Sequence, residues 1–495
     1  MKLDSTHRLA YDRSLFVSMR GVDVHVLPVK KHPLNPLLVP DKPWEEDVHI
    51  YGSVLYIDGM YKMWYYARTE SYAVRMTCYA QSADGIHWEK PELDVAEYRG
   101  MKTNIVFGTP VMGDAFEESD TVLYTPWDTG REYKMLYAAR AREHAPLVRQ
   151  VQRDNFLKQA EEYRRRGDHQ MELKLKERAG RVREDPATVF VAYSSDGIHW
   201  RRPEAPAVPA INDISHMMYD DRTKEYRIYG RGFLYDEGRV AKDRDQPFFD
   251  GYLGRAILLS QSGDGVVWSE GKPIYAADFL DRPGDEIYSM AVFPWAGRYL
   301  GLVQMYHGAP DDMTLDIQLA ISADGEHFER VGDRNPLIPL SGAGGWDRFN
   351  TCIASVPFLK DGQVWLYFNG AVFRHLRITG SCEYQGADTW DRIVRIGLGT
   401  CLPDRFACAR ASFSSGRLIT VPLEMACPVL HINGEAAWGR LEISVTNGEK
   451  TYEASIVESG GDVPLALPGW VVGAPVTISF TLKNAALYSF WCAQD

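Results

Sequence analysis

Carboxylates and aromatics recur together in five phrases of the chain. They are "PWEEDVHI" (Trp44, Glu45, Asp47), "FEESDTVLY" (Glu117, Glu118, Asp120), "INDISHMMY" (Asp213, His216), "GDEIYSM" (Asp285, Glu286, Tyr288) and "GGWDRFN" (Trp346, Asp347, Arg348). Acids brought together repel unless they share protons, bind a cation or meet a polyhydroxylated ligand. Trp44, Trp346 and Tyr288 add flat apolar faces suited to sugar rings. Two such acids are what cleavage of a glycosidic bond requires: one, kept protonated, donates to the leaving oxygen, and the other attacks the anomeric carbon or activates water. The spacing between them sets the outcome, about 5 to 5.5 Å for retention and about 6.5 to 9.5 Å for inversion.

For these phrases to converge, the fold must repeat. Each precedes a pair of β-rich runs joined by a turn, as in "YGSVLYIDGMYKMWYYA" from Tyr51 and "YSMAVFPWAGRYLGLVQM" from Tyr288, the sign of a hairpin. A third run leads into "SADGIHW" at Ser82, "SSDGIHW" at Ser194, "SGDGVVW" at Ser262 and "SADGEHF" at Ser322; the fifth unit has "PDRF" at Pro403 instead. Asp-Gly suits a tight turn because glycine accepts positive φ without steric cost. The units read as five four-stranded antiparallel meanders, which arranged radially make an all-β, five-bladed β-propeller. Its innermost strand is the first of each blade, so residues just ahead of those strands should line one funnel.

Two insertions depart from the plan. Residues 142–185 are rich in Lys, Arg, Glu, Gln and Leu and read as a helical hairpin in blade two, broken near Gly167. This hairpin is a candidate contact for a homo-oligomer. The stretch from Arg374 to Asp391 interrupts blade five as a rim loop. After about Ser412, alternating strands with Gly and Asn-Gly turns predict a small β-sandwich. The expected domains are therefore a propeller over 1–411 and a sandwich over 412–495.

Composition excludes several classes. The 495 residues carry a formal charge of −12, which argues against a nucleic-acid partner. No run of about 18 or more apolar residues could span a membrane, and the amino terminus lacks a signal-peptide pattern, so the chain reads as soluble. Seven cysteines without a CxxC pair suit reduced thiols in a cytoplasmic protein. Phosphate-loop, zinc-protease and serine-esterase motifs are missing. No cofactor is called for; a structural Ca2+ on the axis is conceivable with so many carboxylates, although no ligand loop of recognisable spacing predicts it.

The repeated "S-x-DG-x-x-W" turns, the acid after "NPLLVPDKPWEED" and the trailing sandwich resemble the five-bladed propeller glycoside hydrolases of families 32, 43 and 68. The phrases "YKMWY", "GGWD", "GLGTCLPDRF" and "LKNAALYSF" look closest to uncharacterised propeller glycosyl hydrolases. The "NDPNG", "RDP" and "EC" motifs of the fructosidases find no clear match. The resemblance implies a hydrolase of a carbohydrate substrate, a furanoside such as a fructoside or arabinoside in the first instance. By position in the repeat, Asp47 is the candidate base or nucleophile with Glu45 as competitor. Asp120 is the acid that orients and tunes, and Glu286 is the general acid with Asp285 as competitor. Trp44, Asp213, His216, Arg231, Tyr288, Trp346, Asp347 and Arg348 are candidates for holding hydroxyls or stacking. The alternatives are a glycoside phosphorylase, with Arg348 beside Arg231 or His307 binding phosphate, and a glycan-binding module without turnover.

Overall fold

A computed structural model describes the chain apart from residues 52, 71–73, 113–115, 141–144, 168, 181–186, 204, 209–213, 236–251, 310–311, 354–355, 376–392 and 495. Among the described residues the protein is all-β apart from a helical hairpin in the second meander and short helical turns such as Thr109–Met112. Five antiparallel meanders follow one another. The first runs through Asp47–His49, continued by Val54–Ile57, then Met60–Thr69, Val74–Ser82 and Ile105–Gly108. The second has Phe116–Tyr124, Tyr133–Arg140 and Ala187–Ser194, and the third His216–Asp220, Glu225–Tyr235, Tyr252–Ser262 and Lys272–Ala276. The fourth has Asp285–Trp295, Arg298–His307, Thr314–Ser322 and Phe328–Arg330. In the fifth, Asn350–Ile353 with Phe358–Lys360 pairs Gln363–Ala371, which pairs Val394–Cys401. Its next strand comes from far upstream: Lys30–Lys31 pairs antiparallel with Gly399 and Thr400.

Apolar side chains alternate along these strands and fill the space between meanders, so each core is shared by neighbours. Tyr66 and Phe107 of the first pack with Phe116 and Tyr137 of the second, and Leu136 of the second with Ile228 of the third. Ile257 of the third meets Val303 of the fourth, and Leu319 of the fourth meets Phe368 of the fifth. Tyr367 and Leu398 of the fifth pack with Val48 and Met63 of the first. The sequence of contacts therefore closes on itself.

The Asp-Gly phrases lock this arrangement. In "SADG" the amide of Gly85 donates to Ser82 Oγ at 2.8 Å, and Asp84 Oδ1 accepts from the amides of Ile86 and His87. Gly85, Gly197, Gly265 and Gly325 all have φ between +73° and +79°, a region costly for residues with a Cβ. Each glycine carbonyl then accepts from an aromatic of the preceding meander: Gly85 from Tyr367 (2.6 Å), Gly197 from Trp64 (2.7 Å), Gly265 from Tyr193 (3.1 Å) and Gly325 from Tyr229 (3.0 Å). At the fifth turn the acceptor is a side chain, with Trp295 Nε1 donating to Asp404 Oδ1 at 2.7 Å.

Helices Ala145–Arg166 and His169–Gly180 form the hairpin expected in the second meander, breaking at Gly167 with φ +85°. Most of the rim loop expected from Arg374 to Asp391 lies outside the described residues.

Strands of the C-terminal region make two sheets that enclose one core, with Leu418, Ile443 and Phe480 from one and Leu430, Ile432 and Phe490 from the other. The amino terminus joins them. Phe16–Arg20 pairs with Gly416–Thr420, Asp23–Val26 with Ala407–Ala411, and Arg8–Leu9 with Ala485–Cys492. A division at residue 411 therefore does not follow the strand pairing: residues 8–26 and 407–411 belong with the C-terminal sheets. Local alternation reveals strands but not distant partners, which is why the sequence put these residues elsewhere. Six cysteines are unpaired among the described residues, and no helix there is long and apolar enough to cross a membrane.

Candidate active site

The starts of the first strands meet at a cavity of about 310 Å³ to which all five meanders contribute. His49, Tyr51 and Arg68 come from the first, Glu118 from the second, Ile214 precedes the third, Tyr288 and Leu315 come from the fourth, and Asn350, Cys352 and Asn369 from the fifth. Irregular pairing helps aim them, as bulges do beside functional sites. Register shifts on both sides of Glu118 and Ser119, and again between Ile287 and Ser289, where Tyr288 is the extra residue. Asn369 fixes the first meander to the fifth by accepting from the amide of Ile50 at 2.6 Å and donating to its carbonyl at 3.0 Å.

Asp47 and His49 alternate along one strand and so share a face, and Tyr51 follows just beyond its end. Asp47 is buried and lies opposite Arg68 on the paired strand. Arg68 Nε donates to Asp47 Oδ1 at 2.9 Å and Oδ2 at 2.7 Å, and its Nη2 also contacts Oδ2. His49 Nε2 lies 3.2 Å from the same Oδ2, off the line of a full hydrogen bond. Burial alone would raise the Asp47 pKa, but His49 and Arg68 outweigh it and hold the group below the ordinary carboxylate value. His49 is itself lowered, chiefly by burial and further by Arg68, against the pull of Asp47. Tyr51 OH lies 3.4 Å from His49 Nδ1.

Glu118 is set the other way. Burial raises its pKa, and Arg231, Arg75, Arg68 and the amide of Ile214 only partly offset this. Its Oε1 is shielded from solvent and finds no hydrogen-bond partner among the described residues, an arrangement that favours the protonated acid. Ile214 has φ +54°, an outlier for a β-branched residue and the kind of strain that gathers at functional sites.

The other sequence candidates divide. Tyr288 lines the cavity; the Arg231 guanidinium lies 4.6 Å from its ring centre and that of Arg255 5.2 Å, while its OH is 2.9 Å from His375 Nε2. Glu286 faces Arg255, whose Nη1 and backbone amide donate to Oε2 at 2.7 and 3.2 Å, so it is engaged as an ion-pair partner. Asp285, on the opposite face of the strand, lies 3.1 Å from His307 Nδ1, and His307 Nε2 is 2.9 Å from Asp316. Both stand outside the cavity lining.

Several expectations are corrected. Trp44 is not a sugar platform: it is buried in the core between the first and fifth meanders, its Nε1 donating to Asn104 at 3.0 Å. Glu45 is not a second base, because Tyr65 OH and Lys90 Nζ each lie 2.6 Å from it and the amides of Asp41 and Lys42 also donate to it. Trp346 stacks on Phe368. Asp347 is fully buried beside Lys31 at 2.5 Å, and the Arg348 guanidinium packs on Phe349. His216 is buried and lowered to about 4 by burial. Asp213 lies outside the described residues, as does the side chain of Asp120. Among the described residues no group of three or more His, Cys, Asp or Glu is placed to hold a metal ion.

Sequence reasoning missed Arg68, His49, Tyr51, Asn369 and His375. For the first three a signal existed: alternation from Asp47 puts His49 on its face with Tyr51 just beyond the strand, and the hairpin brings an arginine opposite.

No family model matches the chain, and no curated protein matches it. Among solved structures it is similar to an N-acetylgalactosamine deacetylase from F. plautii in complex with blood group B trisaccharide. The TM-score is 0.43 at 15% identity, covering 77% of this chain and 96% of that one. A Bombyx mori GH32 beta-fructofuranosidase gives 0.39 at 11%, covering 96% and 94%. A thermostable family-43 glycoside hydrolase gives 0.38 at 12%, covering 67% and 87%. Families 32 and 43 are two of the three whose repeat plan the sequence resembles, and with every score here below 0.5 the functional reading rests on the side chains.

Proposed function

We propose that the ring of five meanders is a five-bladed propeller with an appended β-sandwich, and that its cavity is the active site of a glycoside hydrolase. One observation carries this reading: two acids from adjacent meanders, Asp47 and Glu118, both feel Arg68, yet their surroundings push their pKa values in opposite directions. Environments that push paired acids apart assign their roles. Glu118, protonated, donates to the leaving oxygen, and Asp47, ionised, supplies the base function. This moves the general acid from Glu286, which Arg255 engages, to Glu118. Tyr51, Tyr288, Asn350 and His375 surround the space a sugar ring would fill. A furanoside such as a fructoside or arabinoside remains the first substrate class on the sequence resemblance, and six unpaired thiols accord with a cytoplasmic setting.

The test is turnover of a panel of furanosides and pyranosides by the wild type, Glu118→Gln and Asp47→Asn. Each variant should lose about 10²–10⁴-fold in kcat, the usual worth of a positioned acid or base. Unchanged turnover in both would remove the assignment, and binding without turnover by the wild type would favour a glycan-binding module. The guanidiniums of Arg231, Arg75 and Arg68 acting on Glu118 favour a second reading, phosphorolysis. It would appear as turnover that requires added phosphate and yields a sugar phosphate.

A further inference from the structure

The way Asp47 is held bears on the stereochemistry of the reaction. A carboxylate that attacks an anomeric carbon must bring an oxygen lone pair to about 3–3.5 Å of it, in line with the breaking bond. Both oxygens of Asp47 are instead taken by Arg68 Nε at 2.9 and 2.7 Å, and His49 Nε2 stands 3.2 Å from the second. Asp47 is 2% exposed. The cavity is lined by His49, Arg68 and Tyr51 in front of it. Direct attack would require breaking a two-point ion pair around a buried carboxylate and moving two side chains.

The residues that follow Asp47 offer another route for the base function. Tyr51 OH faces the cavity 3.4 Å from His49 Nδ1, and His49 Nε2 faces Asp47. Both distances are long, as catalytic contacts often are before substrate binds.

We infer that glycoside cleavage at this site inverts the anomeric configuration, with Tyr51 and His49 passing the base function of Asp47 to a water molecule; this rests on the glycoside-hydrolase reading above. Water attacks the anomeric carbon from the side opposite the leaving oxygen and forms the new C–O bond. The bond to the leaving group breaks, and its electron pair goes to the leaving oxygen, which takes the proton of Glu118. The proton shed by the water goes to the Tyr51 oxygen as the Tyr51 proton moves to His49 Nδ1, leaving an imidazolium beside the Asp47 carboxylate. Exchange with solvent returns one proton from His49 and one to Glu118, restoring the starting state.

Two measurements on the full chain test this. Proton NMR during the first minutes of hydrolysis of the best aryl glycoside in the panel identifies the anomer released. Intact mass after incubation with the matching 2-deoxy-2-fluoro dinitrophenyl glycoside detects any covalent sugar. The inverted anomer with no mass increase is expected. Retention, or a sugar adduct on Asp47, would overturn the inference and leave the hydrolase reading standing, whereas no turnover of any panel member by the wild type overturns both. Tyr51→Phe, which keeps the ring and removes only the hydroxyl, should lower kcat by about 10²–10⁴-fold with KM little changed. An unchanged kcat in that variant rules out the relay.

Discussion

Glu118 and Asp47 both feel Arg68, yet their surroundings send them in opposite directions. A similar contrast governs His307, where burial lowers the imidazole but Asp285 and Asp316 on either side outweigh it and raise its pKa from 6.5 to about 9. A histidine raised on folding contributes stability that is complete below its unfolded value and is lost as pH rises through the folded one. The wild-type thermal midpoint should therefore fall as pH rises from 6.5 through about 9, and His307→Gln should flatten that part of the profile. A wild-type midpoint that rises across this range would contradict the assignment. At this scale the sequence was only partly legible. "FEESD" contains the acid that lines the cavity, but alternation cannot choose between Glu118 and Asp120 where the register shifts on both sides of Glu118 and Ser119. Glu45 and Trp44 have the right chemistry next to the right strand and nevertheless face partners in a core, because side chains two or three residues from Asp47 along an irregular approach need not share its face.

The turns show what an element needs beyond its own conformation. Gly197 combines φ +79° with a position where an added Cβ would stand 2.6 Å from the Trp64 ring. Gly197→Ala should therefore cost more than about 1 kcal/mol, since it adds steric overlap to a conformation unfavourable for alanine. The urea midpoint would reveal this, and Gly59→Ala is the control: its φ is +79° as well, but nothing lies within 4 Å of the added carbon. Equal shifts in the two variants would show that the interlock with Trp64 is unimportant. Four copies of the phrase were legible because a repeated turn leaves a repeated sequence. The fifth was not, because Asp404 meets Trp295 through its carboxylate rather than through a glycine carbonyl, and the same contact made by different chemistry leaves no common motif. Asp404 also accepts from Ser489 Oγ at 2.5 Å in the C-terminal sheet, so this turn joins the ring to the neighbouring sheets.

Across the whole molecule, closure depends on the strand Lys30–Lys31. Lys31 Nζ reaches Asp347 at 2.5 Å and also donates to the carbonyl of Pro339. Lys31→Met would leave the fully buried Asp347 carboxylate without its cation, a change that should cost about 3 kcal/mol, visible as a lowered denaturation midpoint. An unchanged midpoint would mean that the ring does not rely on this pair. The succession of antiparallel meanders was legible in the sequence, whereas the place of residues 8–31 was not, since nothing local announces a partner hundreds of residues away. That separation has a consequence for synthesis. Leu38 bridges to Ile396, so the ribosome must add roughly 360 further residues before the outer strand of the last unit can find its place, on the order of 20–70 s at ordinary elongation rates. During that interval the early strand edge is open to other chains, and the nascent protein's exposure to misassociation is set by the time between making its first strand and its last.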